Sequence, residues 1–251
     1  MPAQNDISDW FSSIPYITRW WFGLSIVIPL MGRFGLLSAY YMVLLFQQLV
    51  FQFQFWRPFT AAVYFPISPM TGFQYLINLY FLYTYSTKLE TGVYDGRPAD
   101  YLFLILFNWL VLVVIGLVIG LMLLMESLIL SVMYVWCQLN ADVIVSFWFG
   151  MRFKAMYLPW VFAGLNFVLR GGGVNELIGI LVGHLYYFLK YRYPEEYGGR
   201  ELLHTPEILY KYFPSRRGGV SGFGAPQPTA RRRPGDDNRY DWGTGQQLGG
   251  H

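Results

Sequence analysis

Nucleophilic catalysis by a serine requires a histidine held within hydrogen-bond reach of it, and the sequence contains three histidines, His184, His204 and His251. Only His184 lies inside an apolar run. Ser127 and Ser131 begin or occupy another such run, but neither has the flanking glycine that lets an oxyanion donor approach. Gly219-Val220-Ser221-Gly222 resembles a nucleophile turn in its letters, yet it falls in a polar stretch with no scaffold to hold it. A single cysteine, Cys137, excludes an intrachain disulfide and a cysteine-based zinc site. Glu126 is the one carboxylate within a long apolar run; we read it as marking a turn at the membrane surface, where charge costs little, rather than as an intramembrane functional group. The residues thus favour binding and packing over catalysis, and no cofactor, metal or nucleic-acid partner is expected.

These residues are positioned by an unusual chain. Of 251 residues 55% are hydrophobic, 20% aromatic and only 13% charged, whereas charged residues reach about 25% in water-soluble domains. There are too few polar side chains to cover a soluble surface, so lipid is the solvent for most of the chain. The first residues carry Asp6 and Asp9 and no basic run, and are expected to precede a retained span rather than a cleaved leader.

Hydropathy predicts six spans. The first runs from about Trp20 to Leu37, with Trp20 and Trp21 as interface anchors. Residues 38 to 72 are too polar to cross and too apolar to float free, which predicts an interfacial or membrane-embedded loop. The second span, Phe73 to Tyr85, is short. Tyr101 to Leu139 contains one charge in thirty-nine residues; as one helix it would be about 58 Å long, roughly twice the hydrocarbon thickness. It must reverse, and Gly116 to Ser127 is the expected place. Ala155 to Leu169 and Val174 to Tyr193 supply the fifth and sixth spans.

With six spans, fifteen of the eighteen lysines and arginines fall on the side of the termini, and only Arg33, Arg57 and Arg170 fall opposite. Both termini are therefore expected to be cytosolic. Residues 1–193 form the expected membrane domain, 194–214 an amphipathic juxtamembrane segment, and 215–251 a polar, glycine-rich and arginine-rich tail expected to be disordered.

Trp56-Arg57-Pro58, Tyr80-Phe81-Leu82-Tyr83 followed by Leu89-Glu90-Thr91-Gly92, Gly96-Arg97-Pro98-Ala99-Asp100-Tyr101 and Asn175-Glu176-Leu177-Ile178-Gly179 together resemble the derlin family, rhomboid-like proteins of the endoplasmic reticulum. The resemblance covers residues 7 to 224. The run from Arg216 to Gly224 is similar to the branch containing the first animal derlin. It implies an all-α, six-span rhomboid-like bundle used not for proteolysis but for moving misfolded proteins from the lumen to the cytosol. The family's histidine position in the sixth span falls on Glu176, and His184 lies nearly two turns from it, so the resemblance implies a catalytically inactive chain.

The resemblance also implies dependence on Trp56 and Arg57. The side chains themselves read as an anchor: the indole fixes depth, while the guanidinium pairs with loop carbonyls or lipid phosphate. Gly179 and Gly183, one turn apart, permit close approach of two helices, and packing of the sixth span on the fourth is favoured over a dimer contact. Asn78, Asn108, Gln138, Asn140 and Asn166 lie within or beside spans, either lining a cavity or bonding between helices. Short second and fifth spans would thin the bilayer or drive homo-oligomer formation. Trp242, Gly243, Gly245 and Leu248 resemble a short motif, the SHP box, through which derlins recruit the valosin-containing AAA ATPase. A ubiquitin-ligase complex is a further partner implied by resemblance.

Overall fold

The computed structural model describes residues 6–146, 150–170, 172–196 and 202–215. The regular elements of the described residues are twelve α-helices, three short π or 3-10 segments and one small hairpin. α1 (Asp6–Ser13) packs the ring of Trp10 against those of Phe22 and Tyr83 on the next long helices. Pro15 then starts α2 (Tyr16–Arg33) at a position where a missing N–H costs nothing. Relative to the predicted first span, α2 begins and ends four residues earlier.

Residues 34–71 form a loop with three short helices, α3 (Ala39–Met42), α4 (Phe46–Phe51) and α5 (Arg57–Val63). α6 (Gly72–Lys88) continues through a π turn at Leu89–Val93. The predicted second span was too short. Ser86, Thr87 and Lys88 read as an exit from the membrane, but Ser86 is fully buried against Thr18 and Tyr101, so the helix runs on.

α7 (Pro98–Ile119) ends at Gly120, whose φ of +78° is the left-handed conformation that closes helices. Gly120 and Leu121 both donate to the Gly116 carbonyl, each at 2.9 Å, and α8 (Met125–Leu139) leaves in the opposite direction. The reversal therefore lies within the predicted interval. It is stitched to the first loop by Leu44 N–H to Met122 O and Leu124 N–H to Ala61 O, both 2.9 Å.

Every residue from Met125 to Cys137 is buried, so α8 is the central helix, apolar all round because it is surrounded by protein. It packs against α6, α7, α9 (Leu158–Arg170) and, most extensively, α10 (Val174–Tyr187). Between α8 and α9 lies a two-stranded antiparallel hairpin, β1 (Ile144–Ser146) with β2 (Arg152–Lys154), in the register Val145 opposite Phe153. Hydropathy marks this stretch only as the connection between the fourth and fifth expected spans. α10 passes through a second π turn, Phe188–Arg192, into α11 (Tyr193–Glu196). Residues 202–215, with α12 (Glu207–Tyr212), return to the start of α7.

α2, α6, α7, α8, α9 and α10 are the six long helices of the expected rhomboid-like bundle. By length and apolarity alone, only α7 among the described residues is an independent membrane-spanning helix. The others reach their place through packing as well as hydropathy.

Candidate functional site

α8 and α10 are bound through the two glycines. A Cβ at Gly179 would stand 2.6 Å from the Ser127 carbonyl oxygen, and one at Gly183 2.6 Å from that of Ser131. Neither clash could be relieved by turning a side chain, because backbone is the obstacle. Ser127 Oγ adds a 2.7 Å bond to the Asn175 carbonyl, and Ser131 Oγ donates to Leu128 O within its own helix. His184 projects from the exposed face of α10, where its Nδ1 lies 2.9 Å from the Tyr134 hydroxyl. The serines of α8 thus bond to backbone carbonyls, and the described partner of His184 is a tyrosine.

At the end of the bundle where α6, α8 and α10 begin, buried polar residues gather. Gln74 donates to Asn78, and Asn78 donates to Glu126 Oε1, both at 3.4 Å. On the other side Asn166 of α9 donates to Glu176 Oε1 at 2.7 Å. Glu126 and Glu176 line one cavity of about 230 Å³ together with residues 172–175. The expectation for Glu126 is corrected: it follows the turn, but it occupies the first turn of α8 with only 7% exposure and faces the interior. Burial of a carboxylate requires bonding partners, and the sequence could not show that Asn78 comes to it across 48 residues.

The five amides divide. Asn78, Asn108 and Asn166 are buried, whereas Gln138 and Asn140 are half-exposed. Asn78 and Asn166 bond between helices, each to a carboxylate that borders the cavity, but neither amide is itself among the residues lining it. Asn140 bonds to the Trp136 carbonyl one turn back. Asn108 is fully buried, and neither its Oδ1 nor its Nδ2 has a described partner.

The first loop is organised by Arg57, which is fully buried. Its Nε donates to Gln54 Oε1 at 2.6 Å, and Nη1 donates to the carbonyls of Tyr40 and Val43 at 2.6 and 2.9 Å. The guanidinium also lies 5.1 Å from the centre of the Tyr40 ring. Of the two expected uses of this arginine, loop carbonyls are the one observed. Trp56, exposed, is the N-cap residue immediately before α5. α5 docks on α7 through Phe59 stacked on Trp109, with Trp109 Nε1 donating to Pro58 O at 3.0 Å. Beside it, α2, α5 and α7 border an almost wholly apolar groove of about 360 Å³.

The opposite end has a buried polar network that the sequence reading missed. Glu90, on the π turn after α6, receives the N–H groups of Ile17 and Thr18 and the Thr18 hydroxyl. The available signal was an absence: Pro15 caps α2 with no side-chain oxygen, leaving the helix's first donors to be satisfied from elsewhere. Nearby, Asp100 Oδ1 accepts from Thr205 Oγ1 at 2.6 Å and from the Tyr210 hydroxyl at 2.5 Å. Burial, and then the bond to Asp100, push the Tyr210 phenol above its ordinary value. Trp242, Gly243, Gly245 and Leu248 lie outside the described residues.

A bundle of six long helices centred on the buried α8, with a structured first loop and aromatic residues around its outside, defines an α-helical polytopic membrane protein. The model of the Der1-like family matches residues 14–207. The chain is 59% identical to human Derlin-1 over 250 residues, covering 98% of this chain and 99% of the relative. It is 49% identical to Derlin-1 of Caenorhabditis elegans, with 98% and 100% covered, and 41% identical to that of Drosophila melanogaster, with 97% and 99% covered. The chain belongs to the derlin family, on the animal Derlin-1 branch.

Proposed function

We propose that this protein resides in the endoplasmic reticulum membrane and helps misfolded proteins pass from the lumen or membrane to the cytosol for degradation, without catalysing a reaction itself. Its termini and the Glu90 end face the cytosol, and the cavity bordered by Glu126 and Glu176 faces the lumen. The tail residues Trp242, Gly243, Gly245 and Leu248 engage the valosin-containing AAA ATPase, which supplies the force. Subunits assemble as a homo-oligomer and work with a ubiquitin-ligase complex.

The observation that carries this reading is the combination of short helices with a polar cavity at one end. α9 has thirteen residues, about 20 Å of α-helix, and the preceding 3-10 turn adds about 6 Å against a hydrocarbon core of about 30 Å. Its outer face carries Trp160, Phe167 and Val168 toward lipid. α8 is also short, with fifteen residues, but it is enclosed by other helices and does not contact lipid directly. Thinning is therefore assigned to the α9 side, and the second-span contribution expected from sequence is withdrawn. A thin bilayer beside buried amides and carboxylates lowers the barrier to a polar chain.

The test is to image the protein reconstituted in lipid and measure the hydrocarbon slab beside α9. Local thinning or a continuous wet passage supports the reading; a slab of undisturbed depth with no wet passage overturns it. The rival reading, an intramembrane serine protease, requires labelling by a serine-directed fluorophosphonate probe. The bonds of Ser127 and Ser131 to backbone carbonyls favour no labelling.

A further inference from the structure

Residues 202–215 form a strap across the Glu90 end of the bundle. Its first fastening is Leu203, which packs against the core while its carbonyl accepts from Lys190 Nζ at 2.9 Å. The second is Asp100, at the start of α7, which receives both Thr205 and Tyr210 on one carboxylate oxygen. The third is Phe213, whose ring lies 6.2 Å from that of Tyr16 at the start of α2. The strap thus ties α2, α7 and the end of α10 to the last described residues before the tail.

Thr205 is followed by Pro206, and the sequence contains only one other Ser-Pro or Thr-Pro pair, Ser68-Pro69. Thr205 is half-exposed and outside any helix, while Pro206 is exposed with φ −58° and ψ 139°, an extended conformation. A proline-directed kinase binds such an extended, accessible segment.

We propose that Thr205 is a phosphorylation site for a proline-directed kinase and that its modification unfastens the strap. In the reaction Thr205 Oγ attacks the γ-phosphorus of ATP, an O–P bond forms, the bond to ADP breaks, and the hydroxyl proton passes to the kinase base. The product has lost the proton that Thr205 donated to Asp100, and it sets phosphate oxygens against that carboxylate. Like charge then opposes the contact that a hydrogen bond had made. Arg97 lies near the site, but its Nε is 4.0 Å from Asp100 Oδ2 and its Nη2 donates to the Val93 carbonyl. Lys190 donates to the Leu203 carbonyl. His204, Glu207, Lys211 and Tyr212 are the remaining described charged or titratable side chains of the strap.

Release would free 14 residues, 202–215, adding about 45 to 50 Å to the reach of the tail when extended. A partner held at the end of the tail could then work further from the membrane. Access by a cytosolic kinase rests on the orientation given under Proposed function.

The experiment treats the detergent-solubilised full-length protein with ATP and a recombinant proline-directed kinase, followed by mass spectrometry and hydrogen exchange. Phosphate on Thr205, absent from Thr205→Ala, and at least tenfold faster exchange of the 207–213 amides are expected. Asp100→Asn, which keeps an acceptor but removes the charge, should show a smaller acceleration on phosphorylation. No phosphate on Thr205, or phosphate with unchanged or slower exchange, overturns the proposal. A parallel reaction with sealed microsomes separates orientation from site: Thr205 labelling without detergent supports a cytosolic strap, whereas labelling only after detergent overturns the orientation and leaves the site decided by the solubilised sample.

Discussion

Glu90 closes the N-terminus of α2 from 72 residues further along the chain, with Oε2 accepting the Thr18 N–H at 2.8 Å and the Thr18 hydroxyl at 2.7 Å. Its Oε1 takes the Ile17 N–H at 2.9 Å. A negative charge at this helix end also faces the positive end of the helix dipole. Thr18 passes the network on to Ser86, and Ser86 to Tyr101, so α2, α6 and α7 are joined by one buried chain of hydrogen bonds.

Glu90→Ala should therefore lower stability substantially, since a buried donor without an acceptor costs about 1–3 kcal/mol. Glu90→Gln retains one carbonyl acceptor and should lose less. Thermal unfolding in detergent checks the order. Equal melting temperatures for the wild type and Glu90→Ala would mean that the network contributes nothing to stability.

Gly183→Ala places a methyl group against the Ser131 backbone, and Gly179→Ala does the same at Ser127. Because backbone cannot turn aside, α10 must shift away from α8. Each substitution should cost about 1–3 kcal/mol, the usual range for overpacking. Gly164, inside α9, has nothing within 4 Å of its added Cβ, so Gly164→Ala serves as the control and should not lower detergent stability, since alanine favours a helix interior over glycine.

Arg57→Lys should fail to replace arginine even though charge is retained. The three N–H donors of lysine all radiate from one nitrogen, whereas the guanidinium spreads its donors to reach Gln54, Tyr40 and Val43 at once. Limited proteolysis of residues 38–57 should accelerate in Arg57→Lys. Trp56→Ala, which removes an exposed ring, should leave that rate closer to wild type while weakening lipid anchoring. Equal proteolysis rates for wild type and Arg57→Lys would rule out the guanidinium as the loop's organiser.

Trp242→Ala combined with Leu248→Ala should abolish capture of the valosin-containing AAA ATPase and leave membrane assembly intact. Pull-down and gel filtration of the same preparation separate the two effects. Retained capture would place the binding determinant elsewhere.

The sequence makes the bundle legible where hydropathy and length act together. The 39-residue run from Tyr101 to Leu139 had to reverse, and glycine supplies the left-handed residue at 120. Legibility ends where a polar residue is satisfied by a distant partner. Ser86 resembles an exit from lipid until Tyr101 and Thr18 meet it, and Glu126 resembles a surface turn until Asn78 does. The hairpin at 144–154 escaped notice because three-residue strands are too short to show a period. Glycine spacing did indicate a close helix contact, but not that Ser127 and Ser131 would be the residues opposite.

The length of α9 leads to the last expectation. α7 has 22 residues, about 33 Å, and matches an ordinary bilayer, while α9 with its preceding 3-10 turn reaches only about 26 Å. One molecule therefore presents two hydrophobic depths to the lipid around it. Mismatch costs fractions of a kcal/mol per Å, and it should grow with bilayer thickness on the α9 side. The protein should melt at a higher temperature in myristoyl-chain than in erucoyl-chain phosphatidylcholine. Lengthening α9 by one apolar turn should move the optimum toward the thicker lipid. A melting temperature that ignores acyl length in both proteins would show that the α9 side does not set the local depth of the membrane.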